Sequence, residues 1–274
     1  MNRIAVGIEY DGGGYAGWQA QPGLPAVQTQ VEAALSRVLD HAVEVTAAGR
    51  TDAGVHAHAQ VAHLQSTAIR SERALVLGAN TYLPEGIALR WARHVPGHFH
   101  ARYSALSRSY RYCILNRSAR GPLSRGRVAF IHRRMEVEPM REAAALLLGT
   151  HDFSSFRAAE CQSRSPVREL TRIAVGRAGD FVVIEVTANA FLHHMVRNIA
   201  GLLIFVGQGQ AEPTLAAELL AAKDRRLAPA TAPAQGLYLW SVRYPEGFGL
   251  PVDSDMMRGP AGCPGDLLDS QLPE

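Results

Sequence analysis

The chain has 274 residues, 47% of them hydrophobic, and a net charge of only +3, enough for one large or two ordinary domains with a real core. No apolar run approaches the roughly 20 residues of a bilayer-spanning helix, and Met1-Asn-Arg-Ile4 leads into a strand-like run rather than a signal peptide, which excludes a membrane protein and predicts a soluble cytoplasmic one. Cys113, Cys161 and Cys263 are odd in number, widely spread and lack a C-x-x-C pair, which argues against a disulfide framework and a structural zinc site.

Residues 3 to 10 read as a strand, broken by Asp11-Gly-Gly-Gly14. This is no phosphate loop, because no Gly-Lys-Ser/Thr follows and no helix begins at once. Tyr15, Trp18 and Gln19 in the loop are either a lid over neighbouring structure or a stacking surface for a base. From Val27 to Leu39, Val31, Ala34, Leu35, Val38 and Leu39 recur at helical spacing. Val43 to Thr46 reads as a strand, Val55 to Leu64 as the next, Ser71 through Ala79 as a second helix, and Ile87 to Val95 as a closing strand.

Between two of these strands lies Ala48-Gly-Arg-Thr-Asp-Ala-Gly-Val-His56. Gly49 and Gly54 bracket Arg50, Thr51 and Asp52, and glycine permits the strained backbone that lifts a polar segment from a sheet edge. Either one carboxylate and one guanidinium are presented together on a rigid scaffold, or Asp52 merely bonds turn amides.

A similar pattern follows. Ser109 to Leu115 is a strand, Arg127 to Ile131 an edge hairpin, and Pro139 to Leu148 a helix. Leu170 to Val175 and Phe181 to Thr187 are strands joined at Gly179-Asp180, His193 to Val206 is an apolar helix, Thr214 to Ala222 a helix capped by Thr214, and Leu237 to Val242 a last strand. Two such halves joined near His98 to Ala105 predict an α+β fold of two ferredoxin-like (βαββαβ) halves, with a mainly antiparallel central sheet, helices on the outer face and an active-site cleft between the halves. The expected domains are 1–105, carrying the Asp52 turn, and 106–245. Residues 246–274 read as a poorly ordered tail, since ten of the thirty residues from Pro245 are Gly or Pro.

Residues 100 to 177 hold fifteen Arg against six Asp or Glu, a local excess that suits a polyanion or forms a solvated face. Tyr110 and Tyr112 share a strand face flanked by Arg108, a mix suited to holding a base. Arg197 interrupts an apolar helix and either meets a carboxylate from elsewhere or snorkels to solvent. His56 and His58 share a strand face, but His63 has the opposite parity and His193-His194 on a helix diverge, so packing is favoured over a metal site. Paired glycosidase carboxylates and a Gly-x-Ser-x-Gly elbow are missing. A non-catalytic RNA-binding module and a histidine-bound metal hydrolase are two readings these residues leave open.

Gly49-Arg-Thr-Asp-Ala-Gly-Val-His56, Phe99-His-Ala-Arg102, Tyr110-Arg111-Tyr112, Asp152-Phe-Ser-Ser-Phe156, Phe191-Leu-His-His-Met-Val-Arg-Asn198 and Gly236-Leu-Tyr238 together resemble the tRNA pseudouridine synthase A family, across roughly residues 3 to 244. The resemblance implies an isomerase making pseudouridine at positions 38, 39 and 40 of the tRNA anticodon arm, working as a homodimer without metal or organic cofactor. It implies Asp52 as the catalytic carboxylate, Arg50 as the residue entering the RNA as the base flips, Tyr110 as the stacking ring, Arg197 as the partner of Asp52 and Leu237 as an apolar contact to the target base.

Overall fold

The computed structural model of the chain describes residues 2–161 and 163–251. Its elements are β1 (Asn2–Tyr10), α1 (Val27–Leu39), β2 (Thr46–Ala47), β3 (His56–Ser66), α2 (Glu72–Tyr82), β4 (Ile87–Val95), β5 (Ser107–Asn116), β6 (Ala129–Ile131), α3 (Val137–Ala145), β7 (Gly149–Asp152), β8 (Val167–Ala178), β9 (Phe181–Ala188), α4 (Met195–Gly207), α5 (Leu215–Ala222) and β10 (Leu237–Arg243). The fold is mixed α and β with mostly antiparallel strand pairs. Two compact units divide it, residues 2–108 with 238–251, and residues 109–237. Among the described residues no helix is long and apolar enough to cross a membrane.

In the first unit β1 lies between β4 and β3, antiparallel to both, and β2 pairs on the far side of β3. Helix α1 forms because Val27, Val31, Ala34, Leu35 and Leu39 fall on one buried face, and it stops where Asp40 turns left-handed at φ 60°. Ser71 caps α2, its hydroxyl accepting from the Ala74 amide at 3.2 Å, with Glu72 in the first turn.

The strand expected at Val43–Thr46 contracts to Thr46–Ala47. Its amides are claimed by α1: Val43 N donates to Ser36 Oγ at 3.1 Å and Val45 N to Glu32 Oε1 at 2.9 Å. Side-chain acceptors thus replace a ladder. The last strand pairs parallel with β3, Tyr238 opposite His56 and Leu239 opposite Ala57. Of the stretch read as a tail, Glu246–Phe248 forms one 3-10 turn, and Phe248 packs against Phe99 at 5.0 Å between ring centroids. Residues 252–274 lie outside the described residues.

In the second unit the strands run in the order β5, β9, β8, β7, with β8 and β9 joined by a hairpin at Gly179 (φ 55°). Sequence reading missed β7, a four-residue edge strand antiparallel to β8. The segment expected as an edge hairpin is β6, which pairs parallel with β5. Asn116 explains the return path, its Nδ2 donating to the Ile131 and Arg133 carbonyls at 2.9 and 2.8 Å. Thr214 does not cap α5; its hydroxyl donates to Glu218 Oε1 at 3.2 Å. Helix α4 is almost wholly buried, and Gly207 lets it touch α3, since a Cβ there would lie 2.7 Å from Met140 Sδ. Arg111 Nε meets Glu185 at 2.6 Å across β5 and β9, with Arg172 on the other carboxylate oxygen at 3.3 Å. Cys161 is free and buried, and Cys263 lies outside the described residues.

His63 on β3 makes the first unit sensitive to acid. It is 7% exposed, its Nδ1 accepts from the Ala101 amide at 3.2 Å, and its ring lies 4.6 Å from His100. Burial, then the neighbouring charges of His100 and Arg3, lower its pKa to about 4. Because the unfolded chain takes up this proton at a higher pH than the folded one, the contribution is present above about pH 6.5 and is lost as pH falls towards 4. Calorimetry of His63→Asn, whose Oδ1 can take the place of Nδ1, should show the gap in Tm to wild type narrowing over this interval. A gap that stays constant from pH 7 to 4 contradicts the assignment.

Candidate active site

The Asp52 turn is held by its neighbours from the backbone outward. Val55 N donates to Asp52 O at 3.1 Å, closing a four-residue turn whose third residue, Gly54, has φ 76°. That is a type II position, open to glycine and closed to a β-branched side chain. Gly49, the other bracketing glycine, is not left-handed; its carbonyl accepts from Gln60 Nε2 at 2.7 Å. Asp52 is half-buried and Arg50 exposed.

The loop after β1 is the turn's buttress. Trp18 N donates to Thr51 O at 3.0 Å and Gly54 N to Tyr15 O at 3.3 Å. A Cβ on Gly12 would lie 2.0 Å from Val55 O, and one on Gly17 2.6 Å from Thr51 O, so the two backbones touch where only glycine fits. Helix α1 anchors this loop in turn. Lacking a side-chain cap, it donates its first amides, Val27 N and Gln28 N, to the carbonyls of Gly17 and Trp18 at 3.2 and 3.0 Å. Trp18 is 1% exposed with its ring 5.9 Å from Tyr10, which favours the lid reading of this loop over base stacking.

Side chains complete the support. Tyr10 OH and Thr51 Oγ1 lie 2.7 Å apart, both buried. Arg108, read from the sequence as a cation flanking a base, is 8% exposed and donates to Ala48 O through Nε and Nη2 at 3.2 and 2.9 Å, and to Arg102 O at 2.6 Å. It staples the entrance of the turn. Tyr10, Trp18, Gln60 and Arg108 were missed as turn supports because their contacts span ten to sixty positions of chain, beyond any local spacing.

The three remaining candidates lie in the second unit. Tyr110 is 7% exposed, its ring edge-on to Phe191 at 5.0 Å. Arg197 is half-buried on α4, and its Nε donates to Ala232 O at 2.9 Å, so its stem is tethered to the chain ahead of β10. Leu237 is 5% exposed, directly after Gly236, where a Cβ would lie 2.9 Å from the Tyr112 ring. Tyr112 itself is core: fully buried, it donates to Pro233 O at 2.9 Å, and burial raises its pKa.

The histidines on β3 make packing and backbone contacts, and His56 Nδ1 also lies 3.1 Å from Asp11 Oδ1. His56 accepts from Gly12 N at 3.1 Å and stacks on Tyr238, His58 stacks on Trp240, and His63 reaches Ala101. His193 and His194 do not diverge as expected. Helix α4 starts only at Met195, and His194 is left-handed at φ 61°, which brings the two rings to 4.0 Å. In the Asp152–Phe156 motif both Phe rings are buried, and Asp152 accepts from Ser154 N and Oγ at 3.0 and 2.6 Å, which holds its pKa below the usual carboxylate value. That motif builds the fold.

The pattern of a family described as tRNA pseudouridine synthase matches residues 7–104 and 143–245. Three relatives carry the name tRNA pseudouridine synthase A. The protein from Methylococcus capsulatus is 56% identical over 259 residues, covering 94% of this chain and 96% of its own. That from Vibrio cholerae is 53% identical over 97% of this chain and 99% of its own, and that from Legionella pneumophila 52% over 90% and 95%.

Proposed function

Since the chain belongs to the tRNA pseudouridine synthase family and isomerises uridine to pseudouridine in tRNA, we propose that Asp52 is the carboxylate that acts on the ribose and that the targets are positions 38, 39 and 40 of the anticodon arm. The observation that carries the role of Asp52 is the turn itself, braced on several sides by hydrogen bonds and close glycine contacts so that one carboxylate is presented from it. Pseudouridylation breaks the bond from N1 to C1′, rotates the uracil and joins C5 to C1′. The C5 proton leaves and the freed N1 takes up a proton, so composition is unchanged. Positive charge develops on the sugar, where Asp52 either captures C1′ or removes the C2′ proton to give a glycal. A fixed carboxylate serves both routes, because less reorganisation is needed at the moment of reaction.

A uridine stacked in the arm must first be extruded, at a cost of a few kcal/mol. In this reading Arg50, exposed beside Asp52, enters the space the base vacates. Tyr110, its plane set by Phe191, stacks on the uracil and returns on the order of 1 to 3 kcal/mol. Leu237 packs against the same base, and Arg197 is the cation that steadies Asp52 in the working enzyme. The arginines of residues 100 to 177 contact the RNA backbone, which fixes position while reading little sequence. Such loose reading suits several adjacent targets.

The enzyme works in the cytoplasm as a homodimer, without metal or organic cofactor. The strand order β4, β1, β3, β2 supports a ferredoxin-like first half, and β5, β9, β8 a second of the same kind. The test is to map pseudouridines in tRNA from cells lacking this chain. Loss at 38, 39 and 40 alone is expected; full modification there would overturn the assignment of target.

A further inference from the structure

The stretch between α5 and β10 has little regular structure beyond two 3-10 turns, yet one face of it is tied to α4 by a closed set of hydrogen bonds. Arg197 and Ala232 bond reciprocally: Arg197 Nε donates to Ala232 O at 2.9 Å, and Ala232 N to Arg197 O at 3.1 Å. The position of Ala232 therefore sets the plane of the Arg197 guanidinium. What sets Ala232 is its neighbour Thr231, whose Oγ1 donates to Asn198 Oδ1 at 2.7 Å and accepts from Arg225 Nη2 at 3.0 Å. Arg225 also donates to Asn198 Oδ1 at 3.1 Å and to Ala228 O at 3.0 Å. Asn198 is 2% exposed, and its Nδ2 donates to Phe156 O at 2.7 Å, so the amide is anchored on the core. Gly201 lets the strap lie against α4, since a Cβ there would meet Ala230 O at 2.2 Å.

We propose that Thr231, Asn198 and Arg225 are positioning residues for the reaction, acting through Ala232 to hold the Arg197 guanidinium in its working orientation. The inference rests on the role given to Arg197 above. A long Arg side chain has many rotamers, and a helix fixes only its first atoms. Here the Nε edge is committed to a carbonyl whose place depends on a threonine hydroxyl that bridges a buried amide and a second guanidinium. Valine has the shape of threonine without the hydroxyl, so Thr231→Val keeps the packing and removes the link from the Ala232 segment to Asn198 and Arg225, leaving only the backbone bond of Ala232 to Arg197.

The experiment uses full-length protein and whole tRNA, reading the single-turnover rate at saturating enzyme, the Kd for tRNA and the Tm. Thr231→Val should lower the single-turnover rate by roughly 10- to 100-fold, the scale of a small misplacement at a reacting centre, with Kd unchanged within about twofold. Thr231→Ser, which restores the hydroxyl, should return close to the wild-type rate. In an Arg197→Ala background the further change Thr231→Val should cost less than about twofold, because both act through one group. A Thr231→Val enzyme as fast as wild type overturns the proposal, as does a loss that serine does not rescue or that persists in full without Arg197. If Arg197→Ala is itself as fast as wild type, the role given to Arg197 fails and takes this inference with it. If Arg197→Ala is slow while Thr231→Val is not, only the positioning role fails.

Discussion

Asp52→Asn is expected to bind tRNA with wild-type affinity and to form pseudouridine more than about 10³-fold more slowly, comparable to or beyond the loss of one strong transition-state contact. The substitution is nearly isosteric, and the turn is braced by backbone hydrogen bonds of residues 51, 52, 54 and 55. The turn should thus survive while the negative charge is lost. An amide neither captures C1′ nor removes the C2′ proton, so both routes fail together. Nucleoside analysis after a single turnover, with a filter-binding Kd in parallel, checks both halves. A fall in binding equal to the fall in rate would assign Asp52 to docking instead of chemistry.

Gly17→Ala should have the next largest effect, on stability as well as rate. Gly17 has φ 103°, and a Cβ there would lie 2.6 Å from Thr51 O, 3.1 Å from Asp52 C and 3.2 Å from Ala53 N. The strained backbone costs about 1 to 3 kcal/mol, and overpacking adds about the same. Urea unfolding should show a lower midpoint with the slope unchanged. Because the displaced atoms are the backbone of the catalytic turn, the single-turnover rate of the remaining folded enzyme should also fall. Gly14→Ala is the control: nothing lies within 4 Å of its Cβ position and its φ is not positive, so both quantities should stay near wild type. If the two variants behave alike, the buttress has no mechanical role.

The contrast between these glycines shows where local sequence carries structure and where it does not. Helix α1 is legible to its last residue, since five apolar side chains at helical spacing admit one buried face. The Asp52 turn is legible too, because a polar triplet between glycines, followed by alternation, has few other solutions. The strand before it was misjudged because its apolar alternation is real, while Glu32 and Ser36 of the helix just ahead of it take its amides. Arg108 beside two tyrosines looked like a nucleobase clamp, yet sixty residues earlier Ala48 offers the carbonyl it holds. Trp18 could not be told from an exposed stacking ring, because its cover comes from separate segments. The resemblance picked out the motif ending in Asn198, but the work of that asparagine depends on Arg225 and Thr231, about thirty residues on in a segment with no periodicity at all.

The most direct test uses tRNA carrying tritium only at C5 of uridines in the anticodon arm, because that label is expelled only when C5 is joined to the sugar. With enzyme in excess, wild type should release the label from positions 38, 39 and 40 in full, while Asp52→Asn, bound to the same RNA, should release none on that timescale. Release by Asp52→Asn at the wild-type rate would contradict the account.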